Sequence, residues 1–292
     1  MKVTADSTVP VSLRTLPLIE FSVSPDVPGI FMELWGQAPA LLSISIQSPT
    51  GESTGRIFAR PGDFRRFRFI FDRSRITVIH NCHDYQSVLE RSLAPVTFNE
   101  DTLSNVSLET LQSVLDSDAP KFISIGRFSP EKGHKRLLDA FEQYWKEHPD
   151  TWLIIIGGVG NLYDETLAHT RALRASDHII LIRAVTNPMP ILKRCDLFLL
   201  SSYYEGQGIV LMEAATLGVP VMACDVSGCH SFLKKYGGLL LEDSEAGLLH
   251  GMQLFAEGKV LPLNIDAERI NHTSAAQVEA LIAGDIHISP QN

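Results

Sequence analysis

The sequence has no basic excess. Across 292 residues, 34 acidic side chains stand against 25 basic ones, for a formal net charge of −9. A duplex binder neutralises phosphates with Lys and Arg, so nucleic acid is excluded as the expected partner. A single phosphate-bearing ligand needs only a few local cations and is not excluded. Cysteine is scarce: Cys82, Cys195, Cys224 and Cys229 form no CxxC pair. No metal site is therefore expected, and the thiols read as incidental residues of a reduced chain, Cys224 and Cys229 as small loop residues. The longest apolar runs, at 152–156, 197–200 and 238–241, fall far short of the ~20 residues of a membrane span. The first residues, MKVTADSTVPVS, lack the apolar core of a signal peptide. These absences give the expectation of a soluble cytoplasmic protein with no transmembrane segment. No internal repeat or low-complexity tract is present. Hydrophobic residues at 45% and charged residues at 20% are ordinary for a globular chain, and the length suits two modest domains or one large one.

Two textures divide the chain. In residues 1–78, Leu42, Ile44 and Ile46 alternate with Ser43, Ser45 and Gln47; Phe67, Phe69 and Phe71 alternate with Arg66, Arg68 and Ile70; Ile76 and Val78 flank Thr77. Period-2 patterning with turn signals at 24–26, 48–51 and 60–63 predicts an antiparallel β unit. After about residue 100, short Ile/Leu/Val runs alternate with helical segments. Strands are expected at 122–125, 152–156, 179–182, 197–200 and 219–223, and helices at 135–146, 162–173, 189–194 and 209–217. Continuous apolar strands between helices predict an α/β domain, a doubly wound parallel sheet covered on both faces. Ligands of such sheets bind beyond the carboxyl ends of the strands.

Two loops at those ends bear chemistry. The first is Gly126-Arg127-Phe128-Ser129-Pro130-Glu131-Lys132-Gly133, with a helix start near His134. Gly126 permits a sharp turn, a helix N-terminus offers free N–H groups, Arg127 a planar donor fork and Lys132 a mobile charge. The loop suits a diphosphate, or it is a solvated loop with two surface cations. The second loop, Ser201-Ser202-Tyr203-Tyr204-Glu205-Gly206-Gln207-Gly208, opens the helix that contains Glu213 among Leu211, Met212, Ala214 and Ala215. A carboxylate there needs donors, either backbone or the hydroxyls of a sugar or ribose. His134 is expected as a helix-start surface residue, with approach to a phosphate as the alternative. His230 is expected in the loop after the 219–223 strand.

The Glu205…Glu213 spacing, E-x7-E, stands in register with Gly126-Arg127, Glu131-Lys132-Gly133, the Gly157-Gly158-Val159-Gly160 turn, the Asp196 to Ser201 run and Gly218-Val219-Pro220-Val221. Together these resemble the C-terminal, nucleotide-sugar-binding domain of family 4 glycosyltransferases of the two-domain GT-B fold, over about residues 79–285. The resemblance implies a retaining transferase that moves a sugar from a nucleotide donor, a UDP-sugar by family frequency, to a cell-surface glycan or a lipid-linked acceptor. It implies no cofactor and no metal. Arg127 and Lys132 would bind the diphosphate and stabilise the leaving nucleotide. Glu205 would lie beside the donor sugar, and Glu213 would bind the ribose. The backbone of Gly206, Gln207, Gly208 and Ile209 would face sugar and phosphate, Arg183, Ala184 and Val185 would border the base, and Gly126 and Gly158 would flank the donor. Gln207 departs from the Phe frequent in the family, at a place where the backbone does the binding. The family also leaves room for a peripheral place at the inner membrane face.

Residues 76–84 resemble the crossover from an acceptor domain into this donor domain, yet a β unit precedes them. About residues 10–78 resemble a β-sandwich segment of clostridial-type subtilisin-like proteases, through the runs at 29–39 and 43–52. No catalytic Asp, His or Ser motif of that family accompanies them, so no protease activity is expected. A fusion, a truncation and a join between genes are all compatible with this order. Three functions stay open from the sequence: a working transferase, a nucleotide-sugar-binding module lacking its acceptor half, and a β-rich interaction module. A partner chain supplying the acceptor domain would restore the first.

Overall fold

Period-2 burial runs through the strands of the larger sheet and sorts their side chains between two cores. Ile123, Ile154, Ile156, Ile180, Ile182, Phe198 and Leu200 point to one face. Their neighbours Phe122, Leu153, Ile155, Ile179, Leu181, Leu197 and Leu199 point to the other. Strands buried on both sides have no polar register, which is why they read as unbroken apolar runs. The structure is a computed structural model, and it describes residues 2–7, 19–20, 42–47, 53–59, 83–99, 102–158, 160–206 and 208–283. The chain divides into two compact units, one of Met1–His80 with Ser274–Asn292 and the other of Asn81–Thr273.

In the first unit, β1 (Lys2–Ser7), β2 (Ile19–Glu20), β3 (Leu42–Gln47) and β4 (Ser53–Ala59) form an antiparallel sheet in the order β2-β1-β3-β4. The Leu42/Ile44/Ile46 alternation is β3, paired with β1 from Leu42 opposite Ser7 to Gln47 opposite Lys2. The expected runs at 67–71 and 76–78, the turns at 24–26, 48–51 and 60–63, and the run at 29–39 lie outside the described residues.

The second unit contains α1 (Tyr85–Arg91), α2 (Leu108–Asp116), β5 (Lys121–Ile125), α3 (His134–Trp145), β6 (Trp152–Ile156), α4 (Tyr163–Ala172), β7 (Ile179–Ile182), α5 (Met189–Leu192), β8 (Leu197–Leu200), α6 (Ile209–Thr216), β9 (Val221–Cys224), α7 (Ser227–Tyr236), β10 (Leu239–Leu241) and α8 (Glu245–Ala256). Helix α9 (Ala267–Ala283) follows, and its Ile270 joins the first core. All six strands are parallel, in the order β10-β9-β8-β5-β6-β7. The chain winds outward from β5 through β6 to β7, returns to the other side of β5 as β8, and winds outward again. The strand order therefore reverses between β5 and β8, and the crevice at such a switch point is where doubly wound sheets hold ligands. The outer edge of β7 is covered. Asn105 donates to the Ile179 carbonyl and accepts from Leu181 N–H, both at 2.8 Å. Ser104 bridges Ile182 antiparallel. An unpaired strand edge is thereby closed.

Two expectations change here. Cys224, Cys229 and His230 are not loop residues: Cys224 ends β9, and Cys229 and His230 lie in α7. Both thiols are fully buried, which pushes the Cys224 thiol up to about 11 and the Cys229 thiol up as well. They are inert packing groups. The helix forms through a close approach. A Cβ on Gly228 would stand 2.5 Å from the Glu205 carbonyl oxygen, so glycine lets the first turn of α7 press against the β8–α6 loop.

Candidate functional site

The β5–α3 and β8–α6 loops meet at the switch point. After β5 the chain passes Gly126 and Arg127, enters a 3-10 turn at Pro130–Lys132, and reaches Gly133, which has φ 63° and opens α3. After β8 it runs through Ser201 to Gly208, which has φ 59° and opens α6. Neither glycine can cap the amides of the helix it opens, and no side chain does so at either helix. Two helix N-termini thus present first-turn N–H groups at the same end of the sheet.

The loops are stitched together. Tyr203 N–H donates to the Glu131 carbonyl at 2.8 Å. Ser201 Oγ donates to the Lys132 carbonyl at 2.9 Å. Lys132 Nζ stands 2.5 Å from Glu205 Oε1, with side chains 17% and 10% exposed. Ser202 Oγ donates to the same carboxylate oxygen at 2.6 Å. Arg127 pairs with Glu131 at 2.9 Å, and Ser129 Oγ donates to that Glu131 oxygen at 2.7 Å. The loop cations therefore each hold a carboxylate, Arg127 on its own loop and Lys132 across the crevice.

Gly126 is expected to let the chain turn without a Cβ clash. The left-handed residue is Gly133, while a Cβ on Gly126 would crowd Lys132 Cδ at 3.2 Å. Gly126 thus gives room to the lysine stem. His134 departs from expectation, being buried rather than at the surface. Its Nε2 lies 3.0 Å from both the Gly126 and Arg127 carbonyl oxygens. Burial holds its imidazole below the ordinary histidine value. It is thus a neutral ring donating one proton to two successive carbonyls, which fixes the path of the loop.

Glu213 lies on α6, which packs against α1. Burial raises its carboxyl above the ordinary range, and the Arg91 charge on α1 offsets part of that. It makes no ion pair with Lys132 or Arg127. Arg183, Ala184 and Val185 follow β7, where Arg183 N–H donates to the Leu103 carbonyl at 2.6 Å and its guanidinium lies 5.9 Å from the Tyr163 ring centre. Gly157 and Gly160 are demanded by Phe128: a Cβ would reach 2.2 Å from its ring at the first and 2.4 Å from its carbonyl oxygen at the second. Gly158 and Gly206 differ, because a Cβ at either would meet nothing within 4 Å. Ile209 is half exposed at the start of α6. Gln207 lies outside the described residues. His230 Nδ1 stands 2.7 Å from Asp225.

The residue that sequence reasoning missed is Arg136. Buried on α3, it donates from Nε to the Ser201 carbonyl, from one terminal nitrogen to the Ser202 carbonyl and from the other to Asp243, each at 2.7 Å. Its guanidinium also lies 3.8 Å from the Tyr203 ring centre. The available signal was spacing: Arg136 lies in the first turn of the helix that Gly133 opens. Among the described residues there is no group of three or more His, Cys, Asp or Glu arranged to hold a metal ion, and no helix is long and apolar enough to cross a membrane.

A family model described as "Glycosyl transferases group 1" matches residues 109–261. An uncharacterized glycosyltransferase of Methanocaldococcus jannaschii is 32% identical over 123 residues, covering 42% of this chain and 30% of that protein. The N-acetylgalactosamine-N,N'-diacetylbacillosaminyl-diphospho-undecaprenol 4-alpha-N-acetylgalactosaminyltransferase of Campylobacter jejuni is 29% identical over 166 residues, 56% of this chain and 44% of that one. The chain thus spans less than half the length of either relative. Among solved structures, Anabaena Alr3699/HepE in complex with UDP and glucose has a TM-score of 0.52 at 18% identity, covering 70% of this chain and 57% of its own. Trehalose-6-phosphate synthase OtsA has 0.53 at 11%, covering 74% and 52%. At these identities the likeness is one of fold. The family match covers just over half of the 292 residues, and the chain belongs to the group 1 glycosyltransferases.

Proposed function

We propose that the α/β domain binds a nucleoside-diphosphate sugar and acts in a retaining transferase of the family 4 type, with a UDP-sugar as donor and a glycan or lipid-linked glycan as acceptor. The observation that carries this is the meeting of Lys132 and Glu205 at the β5/β8 switch point, between two helix N-termini. A diphosphate needs cations and N–H donors converging on one place. Lys132, Arg127 and the first turns of α3 and α6 supply both. Breaking the bond between the anomeric carbon and the β-phosphate oxygen leaves negative charge on the diphosphate. Fixed cations stabilise that growing charge more than they stabilise the intact donor.

The remaining roles are those that the family resemblance implies. Glu213, a partly buried carboxylate, takes the ribose hydroxyls. Glu205 takes hydroxyls of the sugar, and the backbone from Gly206 to Ile209 faces sugar and phosphate. The segment Arg183, Ala184 and Val185 borders the base. Gly126 leaves room for the Lys132 stem. Gly158 and Gly206, whose missing side chains relieve no clash among the described residues, keep the backbone open to close approach by the donor. The uridine preference is supported by the UDP bound in the Anabaena relative.

Calorimetric titration with UDP tests this on three proteins. Wild type is expected to bind saturably, and Lys132→Ala to lose about ten-fold or more in affinity, the scale of one charge-assisted contact. Glu213→Gln separates function from stability. A raised carboxyl pKa means that the fold disfavours the ionised form. Its contribution to stability is full below the unfolded carboxyl value and is lost as pH rises through the folded value. Glutamine removes that dependence. Melting at pH 7 should rise by roughly a few degrees, while UDP binding weakens, because an amide offers one acceptor oxygen where a carboxylate offers two. A folded wild type that gives no heat with any nucleotide would remove the donor assignment. Glu213→Gln melting lower than wild type would mean that its carboxylate is satisfied inside the protein.

A further inference from the structure

Each cation of the β5–α3 loop is already bound to a carboxylate. Lys132 holds Glu205 at 2.5 Å and Arg127 holds Glu131 at 2.9 Å. Neither carboxylate is loosely placed: Ser202 Oγ fixes Glu205 and Ser129 Oγ fixes Glu131, at 2.6 and 2.7 Å. The Ser202 anchor is itself held, because its carbonyl accepts from the buried Arg136. Swinging Glu205 aside would break its bonds to both Lys132 and Ser202, on a loop whose backbone is held by α3 and, at Gly228, by α7. An anion brought to Lys132 arrives beside a fixed negative charge in a place that water screens little.

We infer that Glu205, with Glu131 in a lesser part, is a specificity-determining residue that lowers the site's affinity for a bare nucleoside diphosphate relative to a sugar-bearing one. The inference rests on the donor-binding assignment above. A bare diphosphate meets the carboxylate only as a like charge, and it competes with that carboxylate for Lys132. A donor that also carries a sugar places hydroxyls against the same carboxylate, and the hydrogen bonds they donate offset the repulsion. Charge alone would make the product, which carries the extra negative charge left on its terminal phosphate, bind more tightly than the substrate. The fixed carboxylate biases the site toward the intact donor and favours release of the nucleotide once the sugar has left. Arg127 and Glu131 act in the same sense but more weakly, since they are half and one-third exposed.

The consequence runs against the usual effect of deleting a site residue. Glu205→Gln keeps the shape and can still accept from Ser202, but it frees Lys132. It is expected to bind UDP and inorganic pyrophosphate about ten-fold more tightly than wild type, a change of about 1.4 kcal/mol. The advantage of a UDP-sugar over UDP should shrink in the same variant. Calorimetry of wild type, Glu205→Gln and Glu131→Gln with inorganic pyrophosphate, UDP and UDP-glucose reads all three quantities, with thermal melts to establish folding. Glu131→Gln should shift in the same direction by a smaller factor, and it decides the matter should Glu205→Gln fail to fold. Equal or weaker UDP binding by folded Glu205→Gln would overturn the inference and leave the donor site standing. Absence of binding by all three proteins would remove the donor assignment and this inference together.

Discussion

Arg136→Ala is expected to loosen the β8–α6 loop and to cost about 3–5 kcal/mol of stability. Ser201 and Ser202 are buried, and their carbonyls accept from the guanidinium at 2.7 Å each. Truncation leaves two buried acceptors unsatisfied, at about 1–3 kcal/mol apiece. It also removes the stem that packs α3 against the loop. The bond to Asp243 adds little, because Asp243 is 42% exposed. A graded series follows. Arg136→Lys keeps the charge but cannot reach both carbonyls with a planar fork, so it should lose roughly half as much. Asp243→Asn should lose under about 1 kcal/mol. Urea denaturation of the three variants gives the order, and hydrogen exchange of segment 201–205 gives the place. Faster exchange there in Arg136→Lys, with β5 to β8 still protected, locates the damage in the loop. An Arg136→Ala protein as stable as wild type would show that the carbonyls find other partners.

The sequence made the sheet legible because its strands are covered on both faces. Residues 152–156, 179–182 and 197–200 are β6, β7 and β8 with the expected bounds, since no polar position interrupts an apolar run that is buried twice. Helix α7 was illegible for the opposite reason. Ser227-Gly228-Cys229 reads as a loop, yet it is the first turn of a helix in which Gly228 presses against the Glu205 and Gly206 carbonyls, a contact between the loops that follow two neighbouring strands. Propensity yields to packing there. The candidate site divides the same way. Residue types identified Lys132 and Glu205, and the structure brings them within 2.5 Å. Their partners could not be read, because each bond spans a distance in sequence or depends on a loop path. His134 looks like a surface residue until two carbonyls converge on its Nε2. Arg136 looks like one more basic residue of an amphipathic helix until Ser201 and Ser202 are seen above it. In the N-terminal unit, the alternation at 42–47 fixed the period of β3, but β1 lacks so clean a pattern, and its pairing with β3 joins residues far apart in sequence.

Gly133 is the position at which the smallest change should do the most harm. Its φ of 63° lies in the left-handed region, where a non-glycine residue costs about 1 kcal/mol. The larger obstacle is steric. A Cβ there would stand 2.3 Å from the Ser201 carbonyl oxygen and 3.0 Å from Arg136 Nε. The first is backbone and cannot swing aside, and the second belongs to the guanidinium that holds that same carbonyl. Gly133→Ala must therefore push β8's exit away from the start of α3, breaking the Arg136 bonds and parting Lys132 from Glu205. The expected loss is on the order of 3 kcal/mol or more, with UDP affinity falling in the molecules that remain folded. Gly133→Asn separates the two causes. Asparagine tolerates left-handed backbone better than alanine does, so strain in φ alone would make it the milder substitution. A clash at Cβ makes it equally severe, because both residues place the same atom against Ser201. Chemical denaturation of the two variants beside wild type decides: matching losses establish the close approach of the two loops as the reason for glycine, and recovery of stability in Gly133→Asn would assign it to backbone conformation instead.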